Sequence, residues 1–63
     1  MNTGTSRRMI ERSDRMRKHP KARAEIVEKV DTDQETGAQQ ITLYDEVNDR
    51  LERFWASELL LVE

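Results

Sequence analysis

The sequence predicts an all-α fold, a helical hairpin that pairs with a second copy in a dimeric four-helix arrangement. Apolar residues recur at steps of three and four in the last third of the chain, and a weaker stripe of the same spacing runs through the first half. A polar connector that contains Gly37 separates the two stretches. With 63 residues and no cysteine, the chain makes at most one domain with little core of its own, so we expect it to self-associate.

The single domain, residues 1–63, divides into four segments by composition. These are a flexible N-terminus (1–5), a basic helical segment (6–31), a polar connector (32–41) and an amphipathic helix (42–62).

The first helix is expected to be kinked or broken at Pro20. Thr5 or Ser6 can cap its start, and Pro20 disfavours a continuous helix while suiting the first turn of a new one. One stripe keeps its phase across the proline; it comprises Met9, Ser13, Met16, Pro20, Ala24, Val27 and Val30. The segment is therefore one bent helix over 6–31 or two helices over 6–18 and 20–31.

The connector allows a second interpretation, in which a β-hairpin over 25–44 precedes a single helix. Residues 25–30 and 39–44 have strand-forming side chains and flank a loop that ends at Gly37. We rank this alternative below the helical hairpin because an isolated hairpin would leave the apolar face of the C-terminal helix poorly covered.

The second helix is expected to begin at Thr42, a suitable N-cap, and to end near Val62. Its apolar face is wider than one partner helix covers, which predicts a bundle. The residues assigned to the dimer and core interface are Val47, Leu51, Phe54, Trp55, Glu58 and Leu61. Such a dimer predicts that Leu51→Ala and Trp55→Ala each unfold the protein or make it monomeric.

Charge is distributed unevenly along the chain, although the formal net charge is only −2. Residues 1–24 carry eight basic and two acidic side chains, whereas residues 25–63 carry three basic and eleven acidic ones. The residues assigned to a partner or nucleic-acid surface are Arg7, Arg8, Arg12, Arg15, Lys18 and Arg23. The alternative is that these side chains solvate the protein and pair with its own acidic residues.

The sequence contains few residues of the types that act in catalysis. There is no cysteine nucleophile, and His19 stands alone beside Pro20, so we expect no catalytic residue, no metal site and no cofactor. The longest apolar run, residues 59–62, is far too short to span a membrane, and no signal peptide precedes it. These observations predict a non-enzymatic cytoplasmic protein without membrane contact.

The size of the chain, its Arg7-Arg8 start and its C-terminal stretch from Leu51 to Leu61 resemble the small early-region accessory proteins of temperate lambdoid bacteriophages. Within that group it is similar to those encoded between the exonuclease and excisionase genes. The resemblance implies a regulatory protein, acting in the host cytoplasm on host physiology or on the choice between lysis and lysogeny by binding a host protein. The alternative is a nucleic-acid-binding regulator that uses the arginine-rich first helix.

Overall fold

A computed structural model describes residues 10–62 of the chain, which form a five-stranded antiparallel sheet. The strands are β1 (Arg15–Arg17), β2 (Glu25–Thr32), β3 (Gln39–Asp45), β4 (Arg50–Trp55) and β5 (Leu60–Leu61). A single turn of 3-10 helix, Ala56–Glu58, separates β4 from β5. The prediction of an all-α helical hairpin is therefore wrong, and no α-helix occurs within residues 10–62.

The sheet is a meander whose last strand returns to its beginning. Strands β1 to β4 are neighbours in chain order, and β5 pairs with β1 through Met16 opposite Leu61 and Arg17 opposite Leu60. The spatial order is β4-β3-β2-β1-β5, so β4 and β5 are the two edges of the sheet.

One face of the sheet carries the core. Its buried residues are Met16, Val27, Ile41, Leu43 and Leu59, with Ile10, Val30, Phe54, Ala56 and Leu61 packed against them. Strands β2 and β3, which each have a partner strand on both sides, supply the three most completely buried side chains, Val27, Ile41 and Leu43. Each such side chain stabilises the fold by about 1.5–3 kcal/mol through removal of apolar surface from water.

The sheet is curled around this core. Strand β4 ends at Trp55 and β5 begins at Leu60, five residues later, although β3, β2 and β1 lie between them in the sheet. In a flat sheet the two edges would lie about 19 Å apart, farther than five residues that include a 3-10 turn can span. Curling thus brings the two edges toward each other, and the Lys18 ammonium lies 5.1 Å from the centroid of the Phe54 ring.

A β-bulge in β2 accounts for one step of the helical spacing in the first half of the sequence. The strand register shifts between Val27 and Lys29, which inserts Glu28 as an extra residue. Val27 then pairs with Leu43 and Val30 with Ile41, so residues three apart share the inner face. The last step of the predicted stripe, from Val27 to Val30, is therefore a bulge and not a helical turn.

Pro20 lies in a turn between two strands rather than at a kink in a helix. The Ala22 amide donates to the His19 carbonyl at 2.8 Å, which places Pro20 at the second position of a β-turn. Its fixed φ suits that position. Residues 6–9 of the expected helix lie outside the described residues, and its remainder contains β1, this turn and nearly all of β2.

The second hairpin is the one that the sequence left as the alternative. Strands β2 and β3 pair from Ile26 opposite Tyr44 to Thr32 opposite Gln39. In the turn, the Gly37 amide donates to the Asp33 carbonyl at 2.7 Å, and Gly37 has φ +78°, a conformation that glycine adopts without strain. The helix expected to follow this hairpin is absent, since β4, the 3-10 turn and β5 occupy those residues.

The predicted helix over 42–62 is replaced by two strands and a turn. Thr42, the expected N-cap, is buried in the middle of β3 opposite Arg53. A four-residue turn over 46–49 then reverses the chain. Apolar residues on β3, in this turn and on β4 happen to recur at steps of three and four, which imitates a helical face.

Within residues 10–62, none of the helical structure is long and apolar enough to cross a membrane.

Candidate functional site

The six residues assigned to a dimer and core interface do not form one surface. Phe54 and Leu61 pack against the core of the same chain, and Glu58 is exposed in the 3-10 helix. Val47, Leu51 and Trp55 are exposed, Val47 in the β3–β4 turn and the other two on β4. The continuous helical face that united the six is therefore absent.

The basic residues assigned to a partner or nucleic-acid surface are spread over the first part of the sheet. Arg7 and Arg8 lie outside the described residues. Arg12 precedes β1, Arg15 lies on it, and Lys18 and Arg23 lie in the β1–β2 connection. They do not share one side of a helix, because no helix is present there.

Of the four basic residues in this set that the structure describes, three have partners inside the chain. Arg12 Nε donates to the Glu28 carbonyl at 2.9 Å, which satisfies a backbone acceptor at the bulge. Arg15 forms an ion pair with Glu46 at 3.5 Å, and the Lys18 ammonium lies over the Phe54 ring. These contacts link the start of the chain to β2, to the β3–β4 turn and to β4.

Strand β4 is the longer of the two free edges. It has six residues, and within residues 10–62 no other strand pairs with its far side. It contains neither proline nor a bulge, two devices by which proteins protect edges from pairing, although Arg50, Glu52 and Arg53 place charges on it, which is a third such device. Its backbone donors and acceptors on that side have no partner strand within residues 10–62 and can pair with an added one.

Exposed apolar side chains gather at this edge. The large apolar residues that are most exposed among residues 10–62 are Val47 (66%), Leu51 (58%), Trp55 (44%) and Leu60 (43%). The first three lie on β4 or in the turn before it, and the fourth lies on β5. Three of these four side chains are therefore on β4 or in the turn that leads into it.

The outer face of the sheet, opposite the core, is arranged in rows across the strands. Ile26, Tyr44 and Leu51 form an apolar row because Tyr44 pairs with both of the others. The next row is Lys29, Thr42 and Arg53, and its two cations flank a buried threonine. Trp55 follows on β4 opposite Gln40. Along β4, the outer face thus presents an apolar, a cationic and an aromatic side chain in turn.

The β3–β4 turn fixes the start of β4. Asp45 Oδ1 accepts the amides of Val47 and Asn48 at 3.0 and 3.2 Å, and its Oδ2 accepts the Asn48 side-chain amide at 2.8 Å. These bonds lower the pKa of Asp45, the Asn48 side-chain bond first, although desolvation opposes them.

A second contact closes the same turn from the outer face. Asp49 has φ +53°, a left-handed conformation that aspartate tolerates better than most residues. Its carboxylate accepts the Tyr44 hydroxyl at 2.6 Å, and this hydrogen bond is the main reason that the pKa of Tyr44 is raised. These hydrogen bonds therefore fix the backbone of the turn that carries Val47 and leads to Leu51 on β4.

A shallow depression adjoins the start of β4. It has a volume of about 430 Å³ and is lined by Glu28, Tyr44, Asp49, Arg50 and Leu51. Since it is open to solvent beside the free edge, it can accept a side chain of a molecule that pairs with β4.

The inner face of β4 becomes polar toward its start. Glu52 pairs with Leu43 and Arg50 with Asp45, so both point to the core side, where they form an ion pair at 2.8 Å. Glu25 belongs to the same group, and its Oε1 is buried without a hydrogen-bond partner. Desolvation, followed by the charges of Asp45 and Glu52, raises the pKa of Glu25.

The described residues offer no evident metal centre. No group of three or more histidine or acidic side chains within residues 10–62 is placed to hold a metal ion. His19 is exposed in the β1–β2 turn, where its Nδ1 accepts the Lys21 amide at 3.1 Å.

Comparison with known proteins assigns the chain to no family. The chain matches no protein-family model, and no match was found among the curated proteins or solved structures compared with it. Nothing in these comparisons connects it with phage accessory proteins, and the stretch from Leu51 to Leu61, whose expected helix was part of that resemblance, forms strands and a 3-10 turn instead. The regulatory role that the resemblance implied is likewise unsupported by these comparisons.

Proposed function

We propose that this protein is a non-enzymatic interaction module that binds a protein partner by adding a strand of that partner to the free edge of β4. The observation that carries the proposal is the coincidence of a regular, unpaired six-residue edge with Val47, Leu51 and Trp55, three of the most exposed large apolar side chains. In strand addition, the backbone supplies affinity and alternate side chains supply specificity.

Binding of nucleic acid through the arginine-rich start is the second candidate. It is less well supported because Arg12, Arg15 and Lys18 already contact groups of the same chain. The one exposed tryptophan lies on β4, not among these basic residues. Stacking of bases on aromatic rings beside cations, which is common in single-strand recognition, therefore has no counterpart there.

The proposal is tested by selecting linear peptides that bind the protein from a displayed library. Leu51→Lys and Trp55→Lys should each weaken the selected peptides by about tenfold or more, because each places a charge in the apolar contact. The matched control is Leu60→Lys, since Leu60 on β5 is exposed to nearly the same degree as Trp55. It should leave binding unchanged, and thermal unfolding should verify that all three variants fold.

Amide hydrogen exchange distinguishes strand addition from other modes of binding. The amides of β4 that do not pair with β3 should gain protection when the peptide binds. Protection confined to residues 15–23, or binding of an oligonucleotide that falls by orders of magnitude between about 50 and 200 mM salt, would contradict the proposal and favour the second candidate.

A further inference from the structure

We infer that the strand received by β4 belongs to a different molecule and carries a carboxylate opposite Arg53, between two apolar residues. This inference rests on the proposed docking at β4 and specifies the partner's chemistry.

A second copy of the chain is a poor occupant of this edge. Residues directly opposite each other in an antiparallel pair share a face, so two symmetric copies must place one residue of β4 opposite itself. The two registers with the greatest overlap are centred on Glu52 or on Arg53. Either one sets like charges directly opposite each other, which destabilises the pair. Registers centred on Leu51 or on Phe54 avoid this repulsion, but each pairs only three residues of β4, 50–52 or 53–55.

Arg53 is the charge that remains to be complemented. Arg50, the other cation of β4, forms an ion pair with Glu52 on the inner face. Lys29, in the same outer row as Arg53, lies 3.8 Å from the Asp31 carboxylate. Arg53 contacts the neutral amide oxygen of Gln40 at 3.4 Å, and within residues 10–62 no carboxylate lies within 4 Å of it.

The neighbours of Arg53 on β4 define the rest of the pattern. Leu51 and Trp55 lie two residues before and after it on the outer face. A strand that pairs with β4 therefore meets an apolar, a cationic and an aromatic side chain at alternate positions. The complementary pattern is apolar, acidic, apolar at alternate positions, and it is the same for both strand directions because it is symmetric about Arg53.

Two other sources of a strand fit this pattern less well. The first nine residues of the chain carry Arg7 and Arg8 and no acidic residue, so they supply no carboxylate. A uniformly apolar strand would leave the Arg53 guanidinium desolvated without a counter-charge. An extended acidic-apolar segment of another protein meets both requirements.

The test uses three capped peptides that differ at one position. They are TVTEKVT, TVTQKVT and TVTKKVT, in which the fourth residue faces Arg53 when the valines face Leu51 and Trp55. Titration into isotope-labelled protein, followed by NMR shifts of the β4 amides, gives each affinity. The glutamate peptide should bind about fivefold more tightly than the lysine peptide, with the glutamine peptide between them.

Variants of the protein identify the side chain that recognises the charge of the fourth peptide residue. Arg53→Glu should reverse the order of the three peptides, whereas the control Arg50→Gln should preserve it. Equal affinities with shifts confined to β4 would overturn the carboxylate preference and leave docking at β4 intact. No shift at β4 with any peptide would overturn both. Concentration-dependent β4 shifts without peptide would identify a second copy as the occupant and overturn the inference.

Discussion

The two edges of the sheet use similar apolar residues for different purposes. On the β5 side, Leu59 is buried, Leu61 packs against the core, and the Val62 amide donates to the Arg15 carbonyl at 2.9 Å. On the β4 side, Leu51 and Trp55 project from the outer face and contribute little to the core. The difference shows that an apolar residue near a sheet edge stabilises the fold only when its register turns it inward.

The largest effect should separate Leu59→Ala from Leu51→Ala. Loss of the buried Leu59 side chain leaves a cavity and should reduce the free energy of unfolding by about 2–4 kcal/mol. Leu51→Ala should change it by about 0.5 kcal/mol or less, because Leu51 is largely exposed. Urea denaturation measures both. Equal destabilisation would mean that β4 belongs to a buried interface, as the helical dimer required.

A smaller loss is expected when the turn that leads into β4 is weakened. Asp45→Ala removes the acceptor of three hydrogen bonds, so it should lower the midpoint of thermal unfolding by several degrees. Asp45→Asn can retain acceptor bonds without the charge and should lower it less.

Acid should affect the wild type and the Asp45→Asn variant differently. Because the pKa of Asp45 is lowered in the folded state, its carboxylate adds to the free energy of unfolding above the pKa that it has in the unfolded chain. This stabilisation is lost as the pH falls through the pKa that it has in the folded protein. Thermal unfolding from pH 6 down to pH 2 should therefore show a steeper loss for the wild type. Parallel curves would contradict the assigned role of the carboxylate.

The inner sides of the two edges should also differ in their response to pH. Glu25 faces Asp45 and Glu52 near β4, whereas Leu61, the inner-face residue of β5, lies opposite Met16. Since its pKa is raised on folding, Glu25 favours the folded state below its unfolded pKa, and this contribution is lost as pH rises through the folded pKa. Glu25→Gln should thus stabilise the protein at pH 7 by about 0.5 kcal/mol, with solvent screening considered.

The advantage of Glu25→Gln should disappear in acid, because the wild-type carboxyl is then protonated. Urea denaturation at pH 7 and at pH 3.5 gives the comparison. Glu28→Gln is the matched control, since Glu28 lies three residues further along β2 and is exposed at the bulge. A gain in both variants would indicate a general effect of net charge rather than the environment of Glu25.

The smallest effect concerns the outer contact of the same turn. The chain has a single tyrosine, so absorbance reports the ionisation of Tyr44 directly. Its pKa should lie above that of free tyrosine in the wild type and move toward it in Asp49→Asn. Because the folded pKa is raised, this hydrogen bond stabilises the fold below the tyrosine pKa and is lost above it. An unchanged pKa in the variant would exclude the hydrogen bond as its cause.

The sequence located the β2–β3 hairpin better than it located any helix. Its strand-forming residues flank a polar loop that contains Gly37, and this local chemistry is sufficient to indicate the turn. The alternative was ranked second because the helix assumed to follow it had nothing to pack on. That argument was circular, since the residues of the supposed helix are themselves strands of the same sheet.

The candidate site was only partly predictable. Val47, Leu51 and Trp55 stood out as large apolar residues, but Leu51 and Trp55 are exposed because they lie on the outer face of β4, and Val47 because it lies in the turn before it. Arg53 was not among the candidate residues. Leu51, Arg53 and Trp55 stand at every second position, which in a strand places them on one face. The apolar Phe54 next to Trp55 breaks the alternation of apolar and polar residues that would have indicated a strand.

The sequence by itself determined the size of the domain, the apolar residues available for a core and the loop at Gly37. Tertiary structure decided which apolar residues form that core, because strand pairing and the bulge at Glu28 set their faces. It also decided that β4 is an edge, since β5 returns to pair with β1 rather than with β4. Both decisions depend on contacts between residues far apart in the chain, and helical and strand periodicities in short segments do not encode them.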